Sequence, residues 1–563
     1  MIDQWTLKNF KSIRDETNIQ LFPLTIIAGT NSSGKSTILQ SILLITQTLQ
    51  SRFKKQQLIL NGELTRLGTP QNVLHFENQN ENDVLIIAGL IKGLTYFKLT
   101  FNVNKAKVNT TFELKQFEFW RGEQREHFIT TQNNGTEHTV DHNNTKLSGL
   151  FPDSKVSFDQ FLPNRHVYSK SIVEDFDDQL KDLERLIEDV NYRQDNLSLE
   201  EVNTRLIEET RHLLWEVAKR LESSLSGVVD AANECHTYTK FAQFCVVLIR
   251  HDKAIFDDFA LNFKLVSLRQ RIKNIIGSKS RPVSTTLPHQ LRSGVSEIKK
   301  YFEDNVHYLG PLRDDPRVIY AIPTNIDFRH VGLKGEFTAS MLNLYGQDIV
   351  DYPTVSSDER IPHQIAKGTL IDAVVYWLKL MGLADSLDIK ELTNIGYELN
   401  IHQSNMPNKL ALTNVGVGVS QVLPTLVMCL LVDAPCTLLI EQPELHLHPR
   451  VQSILGDFLL GLTYINKQII VETHSEHIIN RLLLRIAEDG LYDETSSNLL
   501  EKIGILFVEK EGTSSTLRRV RPNEYGTIKD EEWPQGFLDQ STTEIQRKIE
   551  AAKEKRHKNK PRK

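Results

Sequence analysis

Gly29-Thr30-Asn31-Ser32-Ser33-Gly34-Lys35-Ser36-Thr37 is a complete phosphate-binding loop, and a second group of acidic and glycine-rich segments lies far downstream, beyond residue 410. A chain laid out in this way must fold so that its two ends meet. Leu24-Thr25-Ile26-Ile27-Ala28, just before the loop, is apolar and β-branched as a buried parallel strand requires, and the apolar positions from Ser36 to Leu44 recur at helical spacing. A Gly-rich segment between strand and helix offers an anion its backbone N–H groups and the positive end of the helix dipole. Asn31, Ser33, Gly34 and Thr37 are therefore read as ATP-binding, Lys35 as reaching the β- and γ-phosphates, and the Ser36 hydroxyl as a Mg2+ ligand.

The 563 residues leave room for roughly three or four domains. Hydrophobic residues at 40% and charged residues at 25% are ordinary for soluble globular protein. No apolar run approaches a membrane span, and Met1-Ile2-Asp3-Gln4-Trp5 lacks the regions of a signal peptide, so a cytoplasmic protein without membrane contact is expected. A net charge of −6 does not mark the whole surface as a polyanion binder, which leaves any nucleic-acid contact to local patches. Cys235, Cys245, Cys429 and Cys436 show neither metal-ligand nor redox spacing and are expected as buried free thiols.

The pattern to about Leu49 is strand, turn, strand, phosphate loop, helix, and the β-rich segments between residues 83 and 140 suggest an antiparallel layer. From about Ile172 to Arg281 helical patterns dominate. That stretch is too short, and its apolar repeat too irregular, for a long coiled-coil arm, so a compact helical subdomain for dimer or partner contacts is expected. The boundaries read from these changes are 1–170 and 301–500 for the two halves of an ATPase head, 171–300 for the helical insertion, 501–545 for a small C-terminal α+β domain and 546–563 for a basic tail.

Thr437-Leu438-Leu439-Ile440-Glu441-Gln442-Pro443-Glu444 is an apolar strand ending in acids, the Walker B arrangement. Glu441 is the Mg2+ candidate, on a strand expected beside the phosphate-loop strand, and Glu444 is a candidate base. Gln468-Ile469-Ile470-Val471-Glu472-Thr473-His474-Ser475 is a second such strand, with His474 placed to bond a γ-phosphate. Asn414-Val415-Gly416-Val417-Gly418-Val419-Ser420-Gln421 precedes an apolar helix and forms a third anion-binding start.

In chain order, the phosphate loop, the Gly/Ser segment, the Walker B strand and the His474 strand resemble the heads of ABC-type ATPases, an α/β fold with a mixed β-sheet. The resemblance implies a homodimer or higher even oligomer in which Gly418, Ser420 and Gln421 complete the ATP site of the opposite head. Leu7-Lys8-Asn9-Phe10-Lys11-Ser12-Ile13, the run from Glu441 to Pro449 and Glu472 to Ser475 are similar to the ATPases grouped with RecF and the overcoming-lysogenization-defect proteins. Tyr308 to Arg313, Gly332 to Glu336 and Trp533 to Phe537 extend that similarity to a bacterial subgroup. Members of the group serve as ATPase subunits of anti-phage systems, Septu-like or retron-associated, which implies a separate effector such as a nuclease. Many ABC-type heads carry an acid directly after the Mg2+-binding acid, where it polarises the attacking water. Here that position is Gln442, which orients water but cannot take its proton, so slow hydrolysis is expected.

Other features are less specific. His446 and His448 lack further ligands at zinc spacing. Phe507 to Gly512 resembles the acidic strand end of a TOPRIM nuclease, but no Asp-x-Asp follows, so nuclease activity within this chain is not expected. The tail from Ala551 to Lys563, with seven Lys or Arg and one Glu, suits nucleic-acid phosphates and equally suits a solvated end. Gln71 is a candidate for sensing Mg2+ and the γ-phosphate, with other glutamines nearby as competitors.

Overall fold

The computed structural model describes residues 1–52, 58–78, 84–104, 110–122, 126–132, 138–140, 155–171, 280–322, 329–355, 364–393, 395–403, 408–491, 498–529, 544 and 547–553. The chain divides into two compact units, one of residues 1–150, 156–164 and 287–563, the other of 151–155 and 165–286.

The first unit is α/β and carries the phosphate loop. Its central sheet has the strand order Val306–Leu309, Cys436–Glu441, Lys467–Glu472, Leu24–Gly29, Ile503–Glu511, Ser514–Val520. The first five run parallel and the last pairs antiparallel. Cys436–Glu441 and Lys467–Glu472 are buried at every residue, which explains why they read as continuous apolar runs rather than alternating ones. The expected adjacency of the Walker B strand and the phosphate-loop strand is not what forms. Lys467–Glu472 lies between them, pairing Glu441 with Glu472 on one side and Glu472 with Ile27 on the other. Two carboxylates thus finish next to each other at the C-terminal edge of the parallel strands, the edge where open α/β sheets bind ligands.

Ile503–Glu511 corrects a second expectation. It pairs with the phosphate-loop strand from Ile503↔Leu24 to Val508↔Gly29, so it belongs to the central sheet rather than to a small separate domain. The cause is burial: Ile503 to Val508 are buried on both faces.

The two faces of the sheet enclose separate cores, as side chains of period two require. Leu24, Ile26, Leu438, Ile440, Ile469 and Val471 pack with the helices Leu370–Leu380, Val417–Leu431, Pro449–Leu462 and Glu476–Glu488. Ile27, Leu439, Ile470 and Leu506 face the helix Lys35–Gln50 and an antiparallel layer. That layer runs Thr17–Gln20, Ile2–Lys8, Leu85–Ile91, Thr95–Asn104, Thr111–Arg121, Glu126–Gln132, His138–Val140, as the sequence between residues 83 and 140 led one to expect. The helix His289–Asp304, assigned by sequence to the 171–300 insertion, packs into this same core through Leu291, Ile298 and Phe302. The unit boundary falls at 286/287 instead. Of the second unit, an antiparallel ladder from Arg165↔Thr286 to Ser171↔Ser280 is described. Of the helical subdomain expected between Ile172 and Arg281, Ser280 and Arg281 belong to this ladder instead, while residues 172–279, Cys235 and Cys245 among them, the Trp533 to Phe537 corner and the tail beyond residue 553 lie outside the described residues. Cys429 and Cys436 are buried free thiols. Among the described residues no helix is long and apolar enough to cross a membrane.

One buried amide ties the N-terminus to both functional strands. Gln468, 1% exposed, accepts from Ile2 N at 2.8 Å and Thr437 Oγ1 at 2.9 Å, and donates to Ile2 O at 2.7 Å and Phe22 O at 3.2 Å. Gln468→Leu strands several buried polar groups at once, and urea unfolding is expected to register a loss of about 3 kcal/mol. A loss below about 0.5 kcal/mol, the level of an ordinary surface change, would show that the network contributes nothing.

Candidate functional site

The phosphate loop closes between Leu24–Gly29 and Lys35–Gln50 because Gly34 adopts φ 99°, a left-handed conformation that favours glycine. A Cβ there would sit 2.2 Å from Ser12 Oγ and 2.5 Å from Ser515 Oγ. Those two serines back the loop: Ser12 Oγ lies 3.1 Å from Thr37 Oγ1, Ser515 N donates to Ser12 O, and Ser515 Oγ donates to Ser33 O. Asn31 is exposed, Ser36 is half-buried, and Ser33, Lys35 and Thr37 are buried. Ser33 Oγ has no hydrogen-bond partner. Lys35 folds back over the loop, donating from Nζ to Thr30 O at 2.6 Å and Gly29 O at 3.2 Å. Burial lowers its pKa, opposed by the charges of Glu472 and Glu444. In this position the ammonium occupies carbonyls that a phosphate would release.

Opposite the loop stand three buried carboxylates. Glu472, which in the sequence reads only as the flank of His474, is the one nearest Lys35 and Ser36. It accepts a hydrogen bond from the Ser36 side chain, burial raises its pKa, and its Oε2 has no partner. The signal was present in the sequence, since Gln468 to Glu472 repeats the pattern of an apolar strand ending in a carboxylate. Glu441 accepts from the Tyr308 hydroxyl at 3.0 Å, and desolvation with the neighbouring Glu472 charge pushes it up to about 7. Tyr308 stands out in the sequence only through the family resemblance, and its direct contact with the Mg2+ candidate comes from the pairing of Val306–Leu309 with Cys436–Glu441. Glu444 accepts from His474 N at 2.6 Å, leaves Oε2 unpartnered, and is raised mainly by burial. Gln442 sits at φ 44°, held by its N–H to Glu472 O at 2.7 Å, in the sharp turn between Glu441 and Glu444. His474 is exposed beside these groups; burial of its ring and the Lys35 charge lower its pKa, so it is neutral near pH 7.

At the glycine-rich start of Val417–Leu431, the residues expected to make cross-dimer contacts differ in exposure. Ser420 and Gln421 are 5% and 7% exposed, and Ser420 Oγ donates to Val417 O at 2.8 Å, so both face their own core. Asn414, Gly416 and Val417 are exposed and Gly418 is half-buried. Tertiary burial decides this: the helix is buried all round, at every residue from Val419 to Leu431. Gln71 is exposed on a short turn, where its amide donates to Thr110 Oγ1 at 3.4 Å.

The residues fit a nucleotide with Mg2+. A helix start with an orphaned Ser33 hydroxyl suits phosphate, and Ser36 with Glu441 and Glu472 supplies hard oxygen donors of which one is free. Among the described residues no group of three or more His, Cys, Asp or Glu is arranged to hold a metal alone, so phosphate oxygens and water would complete the shell.

Comparison with known proteins agrees with this chemistry. The AAA domain family matches residues 5–227 and the AAA ATPase domain family matches residues 378–479, the two halves that carry the phosphate loop and the acidic strands. No curated protein matches the chain. Among solved structures, the SMC head domain of Pyrococcus furiosus, with an extended coiled coil and bound to the C-terminal domain of ScpA, is 10% identical; the match covers 92% of this chain and 96% of that one, at a TM-score of 0.34. The SMC head domain from Thermotoga maritima is 9% identical over 92% of this chain and 99% of that one, at 0.31, and the Pyrococcus yayanosii head is 12% identical over 92% and 97%, at 0.30. Likenesses this distant carry no argument about individual positions. The family matches and the site together support an ATP-binding ATPase with AAA-type domains.

Proposed function

We propose that this chain is a slow ATPase whose heads close on ATP and Mg2+ as a dimer and thereby control a separate effector, a nuclease, in bacterial defence against phage. The observation that carries the ATPase reading is the meeting of Lys35, Ser36, Glu441 and Glu472 at one end of the central sheet. Ser36, Glu441 and Glu472 would hold the ion, which supplies neutralisation of phosphate charge. The chain's own groups do the rest. Lys35 exchanges its loop carbonyls for phosphate oxygens, the N–H groups opening Lys35–Gln50 hold the same anion, and His474 lies at the rim for the terminal phosphate. Glu444, held by the His474 N–H, is the carboxylate that would accept a proton from water.

Dimerisation is supported by the solvent-facing Asn414, Gly416 and Val417 at the start of Val417–Leu431, a site that a second head completes. Sedimentation velocity is expected to show a dimer with ATP and Mg2+ and a monomer without them; a monomer under both conditions would sink the head-closure reading. The defence role and the nuclease partner rest on the motifs shared with RecF-like and overcoming-lysogenization-defect ATPases. Lys35→Ala is expected to abolish protection in a phage-plating assay of the chain with its neighbouring genes, and unchanged protection would refute the link.

Gln442 favours a second reading, an ATP-gated scaffold that does not hydrolyse. Gln442→Glu is expected to raise the single-turnover rate at least about 10-fold by adding a proton acceptor beside the attacking water. An unchanged rate would mean that Gln442 does not limit hydrolysis. DNA-end or gap binding without any partner would instead favour a RecF-like repair ATPase.

A further inference from the structure

Arg313 is 7% exposed, yet its Nε and Nη1 have no hydrogen-bond partner, and Nη2 makes only a long contact, 3.4 Å, with the Glu441 carbonyl. A guanidinium buried with most of its donors unmet is costly, because each orphaned donor forfeits its hydration. Its electrostatic neighbours are Tyr308, Cys429 of the helix Val417–Leu431, Glu441 and Glu444. Burial drives its pKa down to about 10, and it stays protonated at neutral pH.

Two buried acceptors without partners belong to these neighbouring segments. Glu444 Oε2 is buried without a partner in the acidic turn. Thr425, fully buried, has an unmet Oγ1, and at four residues before Cys429 it shares that residue's face of the helix. The loop bearing Arg313 is itself fastened to this helix. Gly310 N donates to Leu333 O at 2.9 Å and Asp314 N to Lys334 O at 2.8 Å, and a Cβ on Gly335, φ 80°, would fall 2.5 Å from Pro424. A continuous set of contacts therefore runs from the Glu441 turn through Arg313 and residues 333–335 to the middle of Val417–Leu431, whose N-terminus is the exposed glycine-rich end.

We infer that Arg313 is a positioning residue that couples the two: its free donors engage Glu444 Oε2 and Thr425 Oγ1 when ATP binds, so that filling the phosphate site moves or fixes the helix presented to the second head. This rests on the ATPase reading above. Arg313 does not touch the nucleotide; it acts through the Glu444 carboxylate, the Glu441 turn and the helix.

Hydrogen–deuterium exchange of the full chain with and without ATP and Mg2+, on wild type, Arg313→Met, Arg313→Lys and Thr425→Val, tests this. In wild type, ATP is expected to slow exchange in peptides covering both 29–37 and 417–431. In Arg313→Met the first response persists and the second is lost, with turnover down about 10-fold and the KM for ATP within about 2-fold. Arg313→Lys restores part of the turnover, and Thr425→Val, nearly isosteric and able to fold even where Arg313→Met does not, weakens the 417–431 response. A 417–431 response unchanged in both Arg313→Met and Thr425→Val, or absent from wild type that still responds at 29–37, overturns the coupling and leaves the ATPase intact. No wild-type response at 29–37 overturns the ATPase reading, and the coupling with it.

Discussion

Glu472→Gln is expected to lower ATP turnover by about 10- to 100-fold, the usual cost of losing a group that orders a metal-bound site. The expectation follows from the strand order. Because Lys467–Glu472 lies between the Walker B strand and the phosphate-loop strand, its terminal carboxylate faces both Ser36 and Lys35, closer to the loop than Glu441 is. The amide keeps the size of the side chain and the bond from Ser36 but removes the charge that opposes Lys35 and that a divalent ion requires. Nucleotide affinity without Mg2+ is expected to change little, while the Mg2+ concentration needed for half-maximal turnover rises. Steady-state rates across a Mg2+ titration measure both. Wild-type turnover with an unchanged Mg2+ requirement would reduce Glu472 to a structural acid.

The second large effect concerns Glu441 and pH. In the unfolded chain a glutamate loses its proton near 4.5, whereas in the fold Glu441 keeps it to about 7 because burial and the Glu472 charge oppose ionisation. Between those values the folded state binds more protons, so the contribution of Glu441 to stability falls as pH rises through that window and remains lower above it. A displacement of this size corresponds to at most about 3 kcal/mol, shared with Glu472 as a coupled pair. Glu441→Gln is therefore expected to melt above wild type at pH 8 without nucleotide and level with it near pH 5. The same variant is expected to lose ATP turnover, so stability and activity move in opposite directions. A variant that melts below wild type at pH 8 would mean that Glu441 is held charged by contacts stronger than its burial.

Much of this site is written in the sequence, and the parts that are not have identifiable causes. The phosphate loop is local: strand, glycines, lysine and helix follow one another, so chemistry and geometry coincide within a few residues. Glu441 is legible for the same reason. Which strand stands beside which is a long-range fact, and nothing in Thr437 to Glu444 says that Lys467–Glu472 will intervene. The buried run Ile503 to Val508 carried a usable signal, since an unbroken apolar strand belongs in the middle of a parallel sheet and not in a small peripheral domain. Ser420 and Gln421 are polar residues at the head of an apolar helix, and their burial is a tertiary fact: the helix is enclosed at every residue from Val419 to Leu431. Arg313 is visible in the sequence only as part of a resemblance, because its unmet donors exist only once Val306–Leu309 is laid beside Cys436–Glu441.

The claim on which everything else depends is that Lys35, Ser36, Glu441 and Glu472 form a single ATP–Mg2+ site. Isothermal titration of ATP into the full chain, with and without Mg2+, measures it directly when repeated on Lys35→Ala. Wild type is expected to bind one ATP per chain, more tightly with Mg2+, and Lys35→Ala to bind roughly 100-fold more weakly or not at all, since a phosphate-loop lysine supplies the cation for the β- and γ-phosphates. Equal binding by wild type and Lys35→Ala, or no binding by wild type, would contradict it.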